Sequence, residues 1–139
     1  MNWKENFYET KVKPFLKFEI EASERIKNKF NVEIVSFNDD NKYDFIDANN
    51  IKYEVKCDKY SNISGNFFIE FKGYHKNSGI SNTKANYYII TNGDNYYMIL
   101  TEKLLKLCKK YGNVRNTKDK LTFGYIINCN IIICNSIII

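Results

Sequence analysis

Apolar side chains recur at intervals of three and four residues from Pro14 to Phe30. The repeating positions are Phe15, Phe18, Ala22, Ile26 and Phe30. Because an α-helix has about 3.6 residues per turn, these side chains lie on one face. The pattern predicts a first helix that ends near Asn31 and packs its apolar face against the core.

Shorter apolar segments that are bounded by Asn, Asp, Gly or Ser predict β-strands. These segments span residues 32–35, 43–46, 51–57, 66–71, 87–91 and 96–100. Turns are expected at residues 38–41 and 49–50, and the Asn92-Gly93-Asp94 sequence is typical of a hairpin. Residues 78–81 resemble a turn that leads into a short helical piece through Ala85.

The last third of the chain combines another helix with β-branched sequence. Thr101 is suited to cap a helix that runs through Lys110 and ends at Gly112. Its predicted inward-facing residues are Leu104, Leu105 and Cys108. The chain is strongly β-branched from residue 121 onward, and residues 131–139 are apolar enough to need a partner strand or a subunit interface. This order predicts an α/β (mixed α+β) fold in which helices flank a central mixed β-sheet.

The length of 139 residues suits a single domain that spans residues 1–139. No apolar run approaches the roughly 18 residues that a membrane-spanning helix needs, and the start of the chain lacks the organisation of a secretory signal. We therefore expect an intracellular protein with no membrane partner. The net charge of +5 favours an anionic partner.

Charged residues interrupt two of the predicted strands. Asp44 is followed, after nine intervening residues, by Glu54-Val55-Lys56. Alternate side chains of a strand share a face, so Glu54 and Lys56 project together, and the short turn allows Asp44 to approach them. Both segments are apolar enough to be central strands, where charges are costly unless they are paired or bound to metal.

Such a cluster of two carboxylates and one ammonium suits a hard cation. Carboxylate oxygens of Asp44 and Glu54, a backbone carbonyl such as that of Val55, and several waters would make the octahedral site that Mg²⁺ (or Mn²⁺) prefers. The ion would lower the pKa of a water and neutralise charge on a scissile phosphate, while Lys56 positions or helps to deprotonate the nucleophile. The alternative is a solvent-exposed strand on which Glu and Lys alternate.

The arrangement of Asp44, nine residues and Glu54-Val55-Lys56, preceded by a helix and a strand and followed by a strand, resembles the PD-(D/E)XK nuclease superfamily. The resemblance covers roughly residues 15–100 and implies a restriction-endonuclease-like core that cuts DNA with a divalent metal. It implies that Asp44 and Glu54 are metal ligands and that Lys56 is the catalytic lysine. Tyr43 stands where the family name has proline, a position that the superfamily keeps loosely.

Glu19 lies in the middle of the apolar face of the predicted first helix, between Phe15 and Ala22. Holliday-junction resolvases and other members of the superfamily place a glutamate of the first helix beside the metal, and Glu19 resembles that residue. Glu21 is the reserve candidate, since the phase of the helix is uncertain from sequence. The alternative for Glu19 is a salt bridge to a core lysine.

Two further segments carry candidate residues. Glu70 belongs to a second E-x-K sequence, and it either tunes the site, binds a second metal ion or has a structural role. The segment that begins at Ser78 resembles one that lies near the substrate in some phage-type members of the superfamily. Its candidate nucleic-acid-binding residues are Ser78, Ser81, Thr83 and Lys84, which could hold phosphates at a helix start. An ordinary capped turn is the alternative.

Other reactive residues are expected to be structural or solvated. His75 lies in a polar loop and is interpreted as solvated. The paired tyrosines are expected to pack the sheet in preference to stacking on bases; they are Tyr87, Tyr88, Tyr96 and Tyr97. The scattered cysteines form no CxxC pair and are expected to be reduced core thiols; they are Cys57, Cys108, Cys129 and Cys134.

These features together predict a metal-dependent DNA endonuclease. A chain of this size would recognise DNA by its shape or be delivered by a partner. A Holliday-junction resolvase or another structure-selective repair, recombination or phage nuclease fits best. A homodimer would supply two cuts on two strands. The alternatives are a non-catalytic nucleic-acid-binding module with the same fold and a nuclease that acts on RNA.

Overall fold

The structure is a computed structural model that describes residues 13–37, 42–118 and 120–139, with the side chains of the first helix described from Leu16 onward. The helices are α1 (Lys13–Phe30), α2 (Ser61–Ser64), α3 (Thr101–Tyr111) and α4 (Cys129–Cys134), and a 3₁₀ turn covers Gly79–Ser81. The strands are β1 (Ile34–Phe37), β2 (Phe45–Asp47), β3 (Lys52–Cys57), β4 (Asn66–Gly73), β5 (Lys76–Asn77), β6 (Tyr87–Thr91), β7 (Tyr96–Leu100), β8 (Asn113–Asn116), β9 (Thr122–Asn128) and β10 (Ile137–Ile138). Within the described ranges, no helix is both long and apolar enough to cross a membrane.

The strands form two sheets. The larger sheet has the order β1-β2-β3-β6-β7-β10 and is mixed, because β3 and β6 run parallel while the other neighbours run antiparallel. The smaller sheet is antiparallel and has the order β5-β4-β9-β8. The predicted mixed sheet with helices is confirmed. The smaller sheet is not predicted from the sequence, because that sheet requires β4 to pair with β9, which is distant in sequence.

Two apolar clusters cover the two faces of the larger sheet. On one face, the fully buried Ala22 and Ile26 of α1 pack against strand residues such as Tyr53 and Ile89. On the other face, the smaller sheet, α3 and α4 pack against residues such as Tyr88. Neighbouring residues of one strand therefore belong to opposite clusters, as the alternation of side chains requires. Both faces of β3 and β6 are covered, which confirms that the Glu54 segment is a central strand.

Several predicted elements have the expected type. The first helix, predicted over residues 14–30, is α1, although the side chain of Phe15 lies outside the described part. The hairpin strands β6 and β7 have the predicted bounds, and Gly93 between them has a φ of +103°. The strands predicted from residues 32 and 43 begin two residues later. The turn predicted at residues 38–41 lies outside the described residues.

Two predictions about turns and caps are wrong. Thr101 begins α3 but does not cap it, because Leu100 occupies the cap position. The Thr101 hydroxyl is buried and has no hydrogen-bond partner among the described residues. The turn expected at residues 78–81 is present as the 3₁₀ turn, but residues 82–85 do not form the helical piece expected after it.

The β-branched C-terminal segment is not one continuous strand. After β9 the chain forms α4, in which the Asn128 side chain accepts a hydrogen bond from the Asn130 backbone N–H at 2.8 Å. Ile132 of this helix is fully buried, so tertiary packing outweighs the local preference of isoleucine for strands. The predicted partner strand exists, because β10 pairs with β7.

Most predictions for the remaining reactive side chains are confirmed. Tyr88, Tyr96 and Tyr97 are buried and Tyr87 is half-buried, so these rings pack the sheet. His75 is exposed. The four cysteines are free thiols, but only Cys108 is fully buried and Cys134 is exposed, so the expectation that all of them are core residues is wrong.

Candidate active site

Asp44 lies at the point where β2 and β3 separate. On this side β2 begins at Phe45, which lies opposite Tyr53 of β3. The Asp44 backbone N–H donates to the Tyr53 carbonyl at 2.8 Å, and the Asp44 carboxylate accepts a hydrogen bond from the Val55 backbone N–H at 2.6 Å. The carboxylate thus takes the place of the backbone acceptor that the strand beside β3 would supply to Val55, and this bond holds it at the opening between the strands.

The backbone of Val55 faces the same opening. The N–H and C=O of one strand residue point to the same side, and the Val55 N–H points to Asp44. The pairing between β2 and β3 ends at Tyr53. No residue of β2 therefore lies opposite the Val55 carbonyl. Its oxygen therefore lies on the side of β3 where the Asp44 carboxylate is held.

Glu54 and Lys56 form an ion pair on β3. The Glu54 Oε1 atom lies 3.1 Å from the Lys56 Nζ atom. Glu54 is buried, with 9% of its surface exposed, whereas the Lys56 side chain is 48% exposed. The carboxylate therefore anchors the lysine, and the lysine remains accessible to a ligand that approaches from solvent.

Helix α1 brings Glu19 to the same place. Its carboxyl group is hydrogen-bonded to the Asp44 carboxylate. Burial, with repulsion from Asp44 and Glu54, raises the pKa of Glu19 to about 7. Glu21, the reserve candidate, instead lies on the exposed side of α1 and forms an ion pair with Arg25 at 3.0 Å. Of the two glutamates, the structure places Glu19 beside the carboxylates of β2 and β3.

The same balance of burial and charge affects the other three groups. Burial raises the pKa of Asp44, although the Val55 hydrogen bond and the Lys56 charge favour its ionised form. Burial also raises the pKa of Glu54, and the Asp44 charge adds to this effect while Lys56 opposes it. For Lys56, burial lowers the pKa, but the Glu54 and Asp44 carboxylates outweigh it and hold the pKa above its usual value.

These residues have the charge and donor type that suit a divalent cation. When all are ionised, three carboxylates and one ammonium carry a net charge of −2. A cavity of about 270 Å³ opens beside them and is lined by Phe18, Glu19, Asp44, Val55, Lys56 and Cys57. Among the described residues, no group of three or more His, Cys, Asp or Glu side chains is arranged to hold a metal ion. Mg²⁺ commonly uses one or two carboxylates and several waters, which the Asp44 and Glu54 pair can supply.

The other sequence-predicted residues lie around this cluster. Glu70 lines a second cavity that also contacts Lys56. The Thr83 hydroxyl donates to the Lys42 carbonyl and accepts from the Ala85 N–H, both at 3.0 Å, so it stabilises the local turn. Ser81 and Lys84 are exposed, whereas the Ser78 hydroxyl is buried without a hydrogen-bond partner among the described residues. The expectation of a helix start at this segment is wrong, because the 3₁₀ turn is too short to offer one.

Tyr88 adjoins the cluster, although its sequence context favours packing in the sheet. Parallel pairing of β3 and β6 places Tyr88 directly opposite Glu54. Its hydroxyl is buried and lacks a hydrogen-bond partner within the described part of the chain. Burial and the charges of Glu54, Asp44 and Glu70 raise its pKa. The register that brings Tyr88 here depends on a pairing between distant segments, so local sequence carries no signal for it.

Neither protein-family models nor curated proteins assign a role to these residues. Glu19, Asp44, Glu54 and Lys56 are therefore interpreted from their contacts and charges. No protein-family model matches the sequence, and no curated protein shows significant similarity to it.

Proposed function

We propose that this protein is a magnesium-dependent nuclease that hydrolyses phosphodiester bonds in DNA, with a PD-(D/E)XK-type site on a restriction-endonuclease-like core. One observation carries the proposal: Glu19, Asp44, Glu54 and Lys56 converge where β2 and β3 separate. The elements also follow the order on which the resemblance to this superfamily rests. That order is the helix α1, the strand β1, Asp44 with β2, and then β3 with Glu54 and Lys56.

The energetics of the cluster favour a role in binding a cation. Three neighbouring carboxyl groups destabilise the fold when they are ionised. Burial opposes the ionisation of each group, and repulsion between the carboxylates adds to this effect at Glu19 and Glu54. Lys56 offsets part of the negative charge, and a divalent cation would neutralise the remaining −2. Carboxyl groups with raised pKa values beside a cavity are typical of functional sites.

Each residue has a distinct task in the proposed reaction. Bound Mg²⁺ (or Mn²⁺) would supply positive charge beside the phosphate and lower the pKa of water. Asp44 and Glu54, with the Val55 carbonyl, would hold the ion, and Glu19 would join them when it is ionised. Lys56 keeps its proton because neighbouring carboxylates raise its pKa, so its ammonium can donate a hydrogen bond to the phosphate. Glu19, with a pKa of about 7, can hold or release a proton near neutral pH.

The proposed substrate is DNA that is recognised by its shape, such as a Holliday junction or another branched structure. The net charge of +5 favours binding to a polyanion. We propose that a homodimer acts on such a substrate, because a two-fold pair of sites can cut two strands.

The test is cleavage of a labelled panel that contains linear duplex, single strand, flap, four-way junction and RNA, with Mg²⁺ or Mn²⁺ present. The near-isosteric variants Asp44→Asn, Glu54→Gln and Lys56→Met remove one charge each. We expect each variant to cut at least about a hundredfold more slowly, because each removes a charge that stabilises the ion or the phosphate. Circular dichroism would establish that the variants remain folded.

A matched pair of control variants lies on α3. Glu102 and Lys106 form an exposed ion pair at 3.8 Å, and Glu102→Gln and Lys106→Met remove the same types of charge away from the site. We expect both controls to cut at the wild-type rate. If the wild-type protein binds the panel but cuts nothing with either metal, the nuclease proposal fails and a nucleic-acid-binding module is the better account.

A further inference from the structure

A second cavity adjoins the candidate active site and shares Lys56 with it. It has a volume of about 450 Å³, within the range of about 300–1,000 Å³ that is typical of pockets for small organic ligands. It lies beside β3, β4 and β6, and Phe68, Glu70 and Tyr88 contribute to its lining. A ligand in this cavity would lie next to any phosphate that Lys56 contacts.

Aromatic side chains border the cavity. Tyr60 lines it and is 68% exposed, whereas Phe68 is half-buried. The backbone around Tyr60 is fixed, because the Asp58 carboxylate accepts hydrogen bonds from the Ser61 N–H at 3.1 Å and the Phe68 N–H at 2.9 Å. These bonds join the α2 turn to β4 and hold an exposed aromatic ring at the cavity. A tyrosine side chain has only two χ angles, so it can stack on a flat ligand at low entropic cost.

The polar groups of the cavity can bond to such a ligand. The Tyr88 hydroxyl is buried without a hydrogen-bond partner among the described residues, and a buried group of this kind usually binds water or a ligand. Glu70 also lines the cavity, and a carboxylate can accept hydrogen bonds from N–H groups. Nucleobases carry a flat π-face together with N–H donors and acceptors at their edges, so they match both sets of groups.

We propose that this cavity binds one unpaired nucleobase of the nucleic-acid substrate, next to the phosphate that Lys56 contacts, with Tyr60 stacking on the base. The inference rests on the proposed function, because it takes the group beside Lys56 to be the reacting phosphate. It narrows the substrate to nucleic acid with a nucleotide that is single-stranded, bulged or extruded from a duplex. Within a fully paired duplex, base pairing and stacking on the neighbouring bases would keep each base out of the cavity.

Binding can be measured apart from cleavage by replacing Mg²⁺ with Ca²⁺. Fluorescence anisotropy would compare a DNA duplex carrying one bulged adenine with the same duplex carrying an abasic residue at the bulge. We expect the wild-type protein to bind the adenine bulge about tenfold more tightly, given the strength of stacking between bases and aromatic side chains. With 2-aminopurine at the bulge, we expect the fluorescence of that base to change on binding.

Three variants make this comparison specific. Tyr60→Ala should remove both the preference for the adenine bulge and the fluorescence change, while Tyr60→Phe should retain both because it keeps the ring. Tyr111→Ala removes an exposed tyrosine of α3 that does not line the cavity, so it should behave as the wild-type protein does. Since Tyr60 is exposed, its loss is not expected to prevent folding.

The outcomes separate this inference from the nuclease proposal. If the wild-type protein cuts DNA with Mg²⁺ but binds adenine and abasic bulges equally, the inference is overturned and the nuclease proposal stands. If Tyr60→Ala retains the preference, the inference is also overturned. If the preference depends on Tyr60 while no substrate is cut with either metal, the base pocket stands and the nuclease proposal fails.

Discussion

Replacing Glu19 with glutamine should stabilise the metal-free protein at alkaline pH. The pKa of Glu19 is raised from 4.5 to about 7 by burial and by repulsion from Asp44 and Glu54. A carboxyl group with a higher pKa in the folded state binds more protons there than in the unfolded chain. Its contribution to stability is therefore fully present below about pH 4.5 and is lost as the pH rises through 7.

The magnitude follows from the size of the shift. Each pKa unit corresponds to about 1.4 kcal/mol, so the rise of the Glu19 pKa from 4.5 to about 7 corresponds to at most about 3.5 kcal/mol. Solvent screening and the shared proton with Asp44 reduce this, so we expect about 1–3 kcal/mol. Glutamine cannot ionise and can still donate a hydrogen bond to Asp44, so Glu19→Gln avoids the loss at high pH.

The assay is urea unfolding in EDTA, followed by circular dichroism between pH 5 and pH 8. We expect Glu19→Gln to be more stable than the wild-type protein at pH 8 and to approach it at pH 5. Glu21→Gln is the matched control, because Glu21 is exposed and paired with Arg25, and it should not produce this pH-dependent gain. Equal or lower stability of Glu19→Gln at pH 8 would refute the electrostatic account of the cluster.

Three further substitutions test the framework around the site. Gly79→Ala should destabilise the protein by about 2 kcal/mol or more in thermal unfolding. The φ of Gly79 is +51°, and the added Cβ would lie 2.3 Å from a carbonyl oxygen of β4. The control Gly65→Ala should cost less, because Gly65 has a φ of +73° but open space around it. Tyr53→Phe removes the hydroxyl that donates to the buried Asp47 carboxylate at 2.8 Å, and we expect a loss of about 1–3 kcal/mol in urea unfolding. Leu104→Ala leaves a cavity at a fully buried position of α3 and should cost about 2–5 kcal/mol, and an unchanged midpoint would contradict its assignment to the core.

Much of the local structure could be predicted because the relevant signals lie between near neighbours. The three-and-four spacing of apolar residues identified α1, and the turn residues around Gly93 identified the hairpin of β6 and β7. The same spacing placed Glu19 on the inner face of α1, and the structure brings it to Asp44. Strands that are short or exposed were harder to recognise: β8 has four exposed residues, and it was missed because it lacks the alternation on which such predictions depend.

The tertiary structure alone decided which segments meet. The second sheet requires β4 to pair with β9, and the parallel register of β3 and β6 places Tyr88 opposite Glu54. Tertiary packing also makes α4 a helix where β-branched residues favour a strand, because the burial of Ile132 outweighs the local propensity. The sequence by itself determined α1, the hairpin of β6 and β7, the candidate carboxylates and Lys56, since helix periodicity and strand alternation are local properties. The second cavity and its Tyr88 hydroxyl depend on contacts between distant residues, whose free energy is set only when the whole chain packs.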